Sequence, residues 1–146
     1  MRRAIHAQLV RHLSAQNPKA IGLDVLFSEE DLDYPGDDLM LQRSLQNSGN
    51  VVLPISRGAQ SKAALPLQSL ADSAAALGHT QMPVDSDGVV RHFYAQEGNA
   101  QQLWWHMAIS LHCLGSSGQV VDVLDVQRRV DLHARLVAVG AQTVVL

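Results

Sequence analysis

The stretch that most constrains the fold is Pro18-Lys-Ala-Ile-Gly-Leu-Asp-Val-Leu-Phe-Ser-Glu29, a short apolar run with one acid at its middle and a break on either side. Period-two alternation sets Ile21, Leu23, Val25 and Phe27 on one face and Ala20, Gly22, Asp24 and Leu26 on the other. This predicts a central strand with one bulky and one slim face. A mid-strand Asp is a poor β-former and is costly to desolvate unless something pairs with it. Asp24 is therefore expected to be either a hydrogen-bonded anchor or a ligand contact.

The surroundings of that strand predict an α/β fold. Arg3 to Ser14 reads as an amphipathic helix, with Ile5, Leu9 and Leu13 at i, i+4, i+8 and Val10 adjoining. No capping residue precedes it, so a longer protein is expected to carry something ahead of it. After the strand comes the acidic loop Ser28 to Asp38, in which Pro35-Gly36 signals a turn and Asp37 a helix N-cap. Its six acids suit either cation binding or a solvated loop with acids near a helix N-terminus; an EF-hand pattern is absent. A second helix is expected over Asp38 to Ser48, with Leu41 and Leu45 as an i, i+4 apolar pair, Met40 alongside and Gly49 closing it. Val51-Val-Leu-Pro-Ile55 is then a strand, which makes a βαβ unit with parallel strands.

Ser56 to Ala63 reads as an exposed loop, and Pro66 to Leu77 as a third helix closed by Gly78. Asp87-Gly88 predicts a β-hairpin with a returning strand Val89 to Tyr94. In it Arg91 either pairs locally with Asp85 or Asp87 or contacts a ligand. Leu103 to Leu114 reads as a fourth helix, with Trp104, Met107, Ala108 and Leu111 on its inner stripe. Beyond it, Val120 to Val126 alternates like a strand, Gln127 to Val139 suits a short helix, and Thr143 to Leu146 is β-prone. The expected fold is thus a mixed, partly parallel sheet with a βαβ unit and a β-hairpin, flanked by about four helices.

Composition excludes several functions. The chain has 146 residues, 47% apolar and 17% charged, which suits one globular domain. A net charge of -3 without basic runs gives nothing to neutralise phosphates, so nucleic acid is not an expected partner. One cysteine, Cys113, permits neither an intrachain disulfide nor a cysteine metal site. The N-terminus carries histidine and glutamine where a signal peptide would be apolar, and no 18-residue apolar run provides a membrane span. The histidines lack H-x-x-x-H and H-E-x-x-H spacing, and no nucleophile elbow, P-loop or dinucleotide fingerprint occurs. For metal-dependent phosphoryl transfer, Asp85-Ser-Asp87 has the D-x-D spacing but sits on a turn rather than at the end of a buried strand. No catalytic residues, metal ligands or cofactor are expected.

The ordered segments R-R-A-I-H-A-Q-L, P-K-A-I-G-L-D-V-L-F-S-E, D-D-L with G-N-V-V-L-P, L-G-H and D-S-D-G-V-V-R resemble the CHASE sensory domain of the second type. The resemblance covers about residues 2–114 and leaves 115–146 as a weakly matching end or boundary segment of the same domain. It implies an extracellular or periplasmic ligand sensor on a bacterial membrane, attached through transmembrane helices outside this chain to a cytoplasmic adenylate or guanylate cyclase, diguanylate cyclase or histidine kinase. It also implies that a strand normally stands ahead of the first helix, so that the chain starts inside the family's approach.

Asp24, Gly78, His79, Asp85, Asp87, Gly88 and Arg91 are the positions that match the pattern. The expected ligand-binding residues are Asp24, His79, Asp85, Asp87 and Arg91, taking a small polar molecule or a cation. A homodimer is expected to carry the signal. The rival readings are a dimerisation or interaction module that senses nothing, and a metal-dependent phosphohydrolase.

Overall fold

The computed structural model describes residues 2–57, 63–98 and 103–117. The expectations for 120–146 lie outside the described residues. The chain order is α1 (Arg3–Ser14), β1 (Ile21–Gly22), α2 (Pro35–Ser48), β2 (Val51–Arg57), β3 (Ala63–Ala64), α3 (Gln68–Ala71), β4 (Ala76–His79), β5 (Gln96–Gly98), β6 (Leu103–Trp105) and α4 (Met107–Ser117). β1 and β4 both pair parallel with β2, β3 returns antiparallel on its end, and β5 and β6 form a separate antiparallel pair. The mixed α/β architecture and its parallel βαβ unit match the sequence expectation.

The central strand is β2, which corrects the assignment of that role to Pro18 to Phe27. Val51 to Ile55 are all buried, because helices cover both faces of the sheet, and strands of that kind are apolar throughout. Val51 and Leu53 join Ile21, Leu23, Phe27, Leu41 and Leu45 beneath α1 and α2. Val52 faces the other way, onto Met107, Leu111 and Leu114 of α4. The slim face of β1 lies under α4, since a Cβ on Gly22 would stand 2.9 Å from Leu111 Cδ1.

Pro54 explains why β1 is so short. The ladder runs Ile21 N–H to Asn50 O and Leu23 N–H to Val52 O, and its next bond would be Pro54 N–H to Leu23 O. Proline has no N–H. The Leu23 carbonyl instead accepts the Val25 N–H at 2.8 Å, an i to i+2 bond that places Asp24 at the centre of a γ-turn. Asp24 is consequently exposed at the carboxyl end of the strand, and not buried within it.

α1 and α2 run side by side and parallel, since their starts are tied by Arg2–Asp37 and Arg3–Asp38 and their ends by Ser14–Ser48. Asp37 is not the N-cap of α2, which begins at Pro35. It is buried in the first turn and accepts the Ala4 N–H at 3.2 Å, capping α1 from the neighbouring helix. The face that α1 buries is His6, Ala7 and Val10, whose small members let the two helices approach closely. The predicted stripe is turned outward, with Ile5 and Leu9 each 46% and Leu13 41% exposed, and Met40 of α2 is exposed as well. The acidic loop is tied down: Asp31 accepts the Tyr34 N–H, Asp38 the Asp31 N–H, and Arg3 reaches the Glu29 carbonyl.

Three further boundaries differ from expectation. The third helix spans only Gln68–Ala71, because Ala75 N–H bonds to Val51 O and draws the following residues into β4. Gly78 is a strand residue pressed against α4, where a Cβ would lie 2.6 Å from Met107 Cα. The fourth helix starts at Met107, and Leu103 to Trp105 pair with Gln96 to Gly98 instead. Ser56 and Arg57 continue β2 and pair with Ala63 and Ala64, while 58–62 lie outside the described residues.

Candidate functional site

Because β1, β2 and β4 are parallel, the residues leaving them share one carboxyl edge, the edge at which open α/β sheets hold ligands. Asp24 leaves β1 and His79 ends β4 there. β2 lies between them, so two strand spacings of roughly 10 Å separate their backbones. Asp24 makes no side-chain hydrogen bond or ion pair among the described residues.

The segment beyond His79 carries the predicted turn. Gly88 N–H bonds to Asp85 O, and Asp85 N–H to Val89 O at 3.0 Å. No ladder follows, which corrects the expected returning strand Val89 to Tyr94: both arms are largely exposed, including Val84, Val89, Val90 and Tyr94. Asp85, Asp87 and Arg91 do come together. Arg91 Nη1 donates to Asp85 Oδ2 at 2.8 Å and to Asp87 Oδ1 at 2.9 Å, and Nη2 donates to Asp87 Oδ2 at 2.7 Å. The Arg91 hydrogen bonds hold the Asp87 carboxyl below its usual range, and those to Asp87 and then Asp85 raise Arg91. The trio is a clasp across the turn with one net negative charge. A ligand engaging it has to share or displace these bonds.

His79 stands apart from the clasp, in the interior. It is 2% exposed, and His106 beside it is 6% exposed. Their rings meet edge to face with centroids 5.0 Å apart, and the two residues form a parallel β-bridge that joins β4 to the chain leaving β6. The Phe93 ring packs on His106 at 4.9 Å. Glu97 Oε2 of β5 lies 3.7 Å from His79 Nδ1. His106 is the N-cap of α4: its Nδ1 accepts the Ala108 N–H at 3.2 Å, its carbonyl accepts from Ile109 and Ser110, and its own N–H bonds to Ala95 O. Both ring nitrogens of His79, Nε2 of His106 and Nε1 of Trp105 are buried with no hydrogen-bond partner among the described residues. Such groups are rare in folded proteins. Burial, and then His106, push the His79 pKa down; burial lowers that of His106.

His106, Glu97 and Trp105 escaped the sequence reading because Trp104, Met107, Ala108 and Leu111 fit helical spacing, which placed His106 inside a helix. The available signal was β-prone Leu103-Trp-Trp105 directly ahead of it. Among the described residues, no group of three or more His, Cys, Asp or Glu side chains is placed to hold a metal ion. Among the same residues, no helix is long and apolar enough to cross a membrane.

The CHASE2 domain model matches residues 1–143, and the chain belongs to that family of extracellular sensory domains. No curated protein and no solved structure matches it.

Proposed function

We propose that the chain is the ligand-sensing domain of a bacterial transmembrane receptor, acting on the periplasmic or extracellular side of the membrane and controlling a cytoplasmic cyclase, diguanylate cyclase or kinase. The observation that carries this reading is the CHASE2 match over residues 1–143. The site is the carboxyl edge of the sheet, where Asp24 offers an exposed carboxylate free of partners among the described residues, and the Asp85–Arg91–Asp87 clasp follows from β4, whose last residue, His79, is buried. A small polar molecule or a cation suits that edge. Its differential affinity for two arrangements of a homodimer would move the signal. Sensing is favoured over catalysis because the family is sensory. The test is a thermal-shift screen of amino acids, dicarboxylates and divalent cations on the protein and its Asp24→Asn variant.

A dimerisation module that senses nothing is a second reading, favoured by the outward stripe of Ile5, Leu9 and Leu13 on α1. Exposed apolar surface of this kind marks contact sites. The molecular mass in solution, with and without Leu9→Arg, tests the stripe as the contact between two copies.

A further inference from the structure

We propose that His79 and His106 form a proton-sensing latch: neutral, the pair holds the N-terminus of α4 against β4, and proton uptake releases that end of the helix. This goes beyond the small-molecule reading and rests on the geometry of the pair alone.

The cap is the first part of the argument. Because His106 Nδ1 accepts the Ala108 N–H, the ring's proton is on Nε2 and the cap exists only in the neutral form. A second proton would go to Nδ1, converting the acceptor to a donor that faces another donor. It would also place a cation at the positive end of the helix dipole. Both consequences oppose the start of α4.

His79 supplies the second part. Its ring meets that of His106 at 5.0 Å, so the two buried imidazoles titrate as a pair, each charge raising the cost of the other. Burial opposes a proton on either ring, and His106 adds to that cost at His79, against which Glu97 at 3.7 Å favours one. A proton on either ring sets a positive charge at the helix N-terminus. Glu97 is the charged side chain that faces the pair from β5; His92 lies 3.9 Å from Asp85 on the exposed arm, and His112 of α4 is exposed.

The structural lever is the contact under the latch. Met107, the first residue of α4, rides directly on Gly78, the residue before His79. Movement of that helix end is thus movement at the carboxyl edge of β4.

The test is amide hydrogen exchange, read by NMR on the full chain between about pH 7.5 and about pH 5, spanning the ordinary histidine value, with rates corrected for intrinsic exchange. Protection at Ala108, Ile109 and Ser110 should fall about tenfold, the loss expected for a helix cap, while Val52 and Leu53 stay protected. His106→Asn keeps a capping acceptor that does not titrate, so the drop should vanish. Equal protection across the range, or an undiminished drop in H106N, overturns the latch. Ring spectra of the unmodified protein test it without a variant: His106 must be the Nε2–H tautomer at the higher pH and its titration must track the α4 amides. An Nδ1–H tautomer, or a titration that leaves those amides still, overturns it too. Neither result bears on ligand binding at Asp24.

Discussion

Pro54 faces the carbonyl oxygen of Leu23 across the β1–β2 ladder and has no N–H to give it. The chain turns at Asp24 because of that missing donor. Replacing Pro54 with Ala restores an amide proton opposite Leu23 and should lengthen β1. The expected readout is a slowly exchanging amide at position 54 and loss of the Val25 γ-turn bond. A fast-exchanging amide there would show that the turn does not depend on proline.

Gly78 offers a sharper packing test. A Cβ there would meet Met107 Cα at 2.6 Å and Met107 N at 3.0 Å, and backbone cannot swing aside. Gly78→Ala should destabilise the fold by about 1–3 kcal/mol, as overpacking does, read from the urea midpoint. Gly36 sits in the first turn of α2 with nothing within 4 Å of its would-be Cβ. Gly36→Ala should stabilise by about 0.4–1 kcal/mol.

The histidine pair makes stability depend on pH. Both folded-state pKa values are depressed below the ordinary histidine value, so the unfolded chain binds protons first as pH falls. Stability contributed by the neutral pair is fully present above about pH 6.5 and is lost progressively as pH drops toward the folded values. Urea midpoints measured down that range should decline, and His79→Phe should reduce the decline. Glu97→Gln removes a group that raises the His79 pKa and should deepen the decline and carry it to lower pH, with its onset unchanged.

The clasp of Asp85, Arg91 and Asp87 is exposed, and surface ion pairs of this sort contribute little to global stability. Arg91→Gln should leave the urea midpoint unchanged while accelerating amide exchange at Gly88 and Val89, whose bonds close the turn. A large fall in midpoint would mean that the turn packs on the core.

Much of the fold was legible where the local pattern admits one solution. Val51 to Ile55 is apolar without alternation, which suits a strand covered on both faces, and Asp87-Gly88 marks its turn whatever the arms do. The misreadings arise where partners far along the chain decide. On α1 the larger side chains form the better stripe, yet close packing on α2 selects the smaller Ala7 and Val10. Gly78 follows an alanine-rich run and reads as a helix stop; its actual role, admitting the Met107 backbone, depends on a residue 29 positions away. The site was legible in part: the Arg91 pairings were anticipated as one of two alternatives, whereas the burial of His79 beside His106 required the parallel bridge between them.

The most direct test of the sensing account is the thermal-shift screen on the protein and on Asp24→Asn. A ligand present at about a hundred times its Kd stabilises by about 2.7 kcal/mol, a rise of several degrees in Tm for a domain of this size. The account predicts that at least one small polar compound or cation produces that rise, and that D24N folds normally and shows none. An equal rise in D24N, or no rise with any compound, would contradict it.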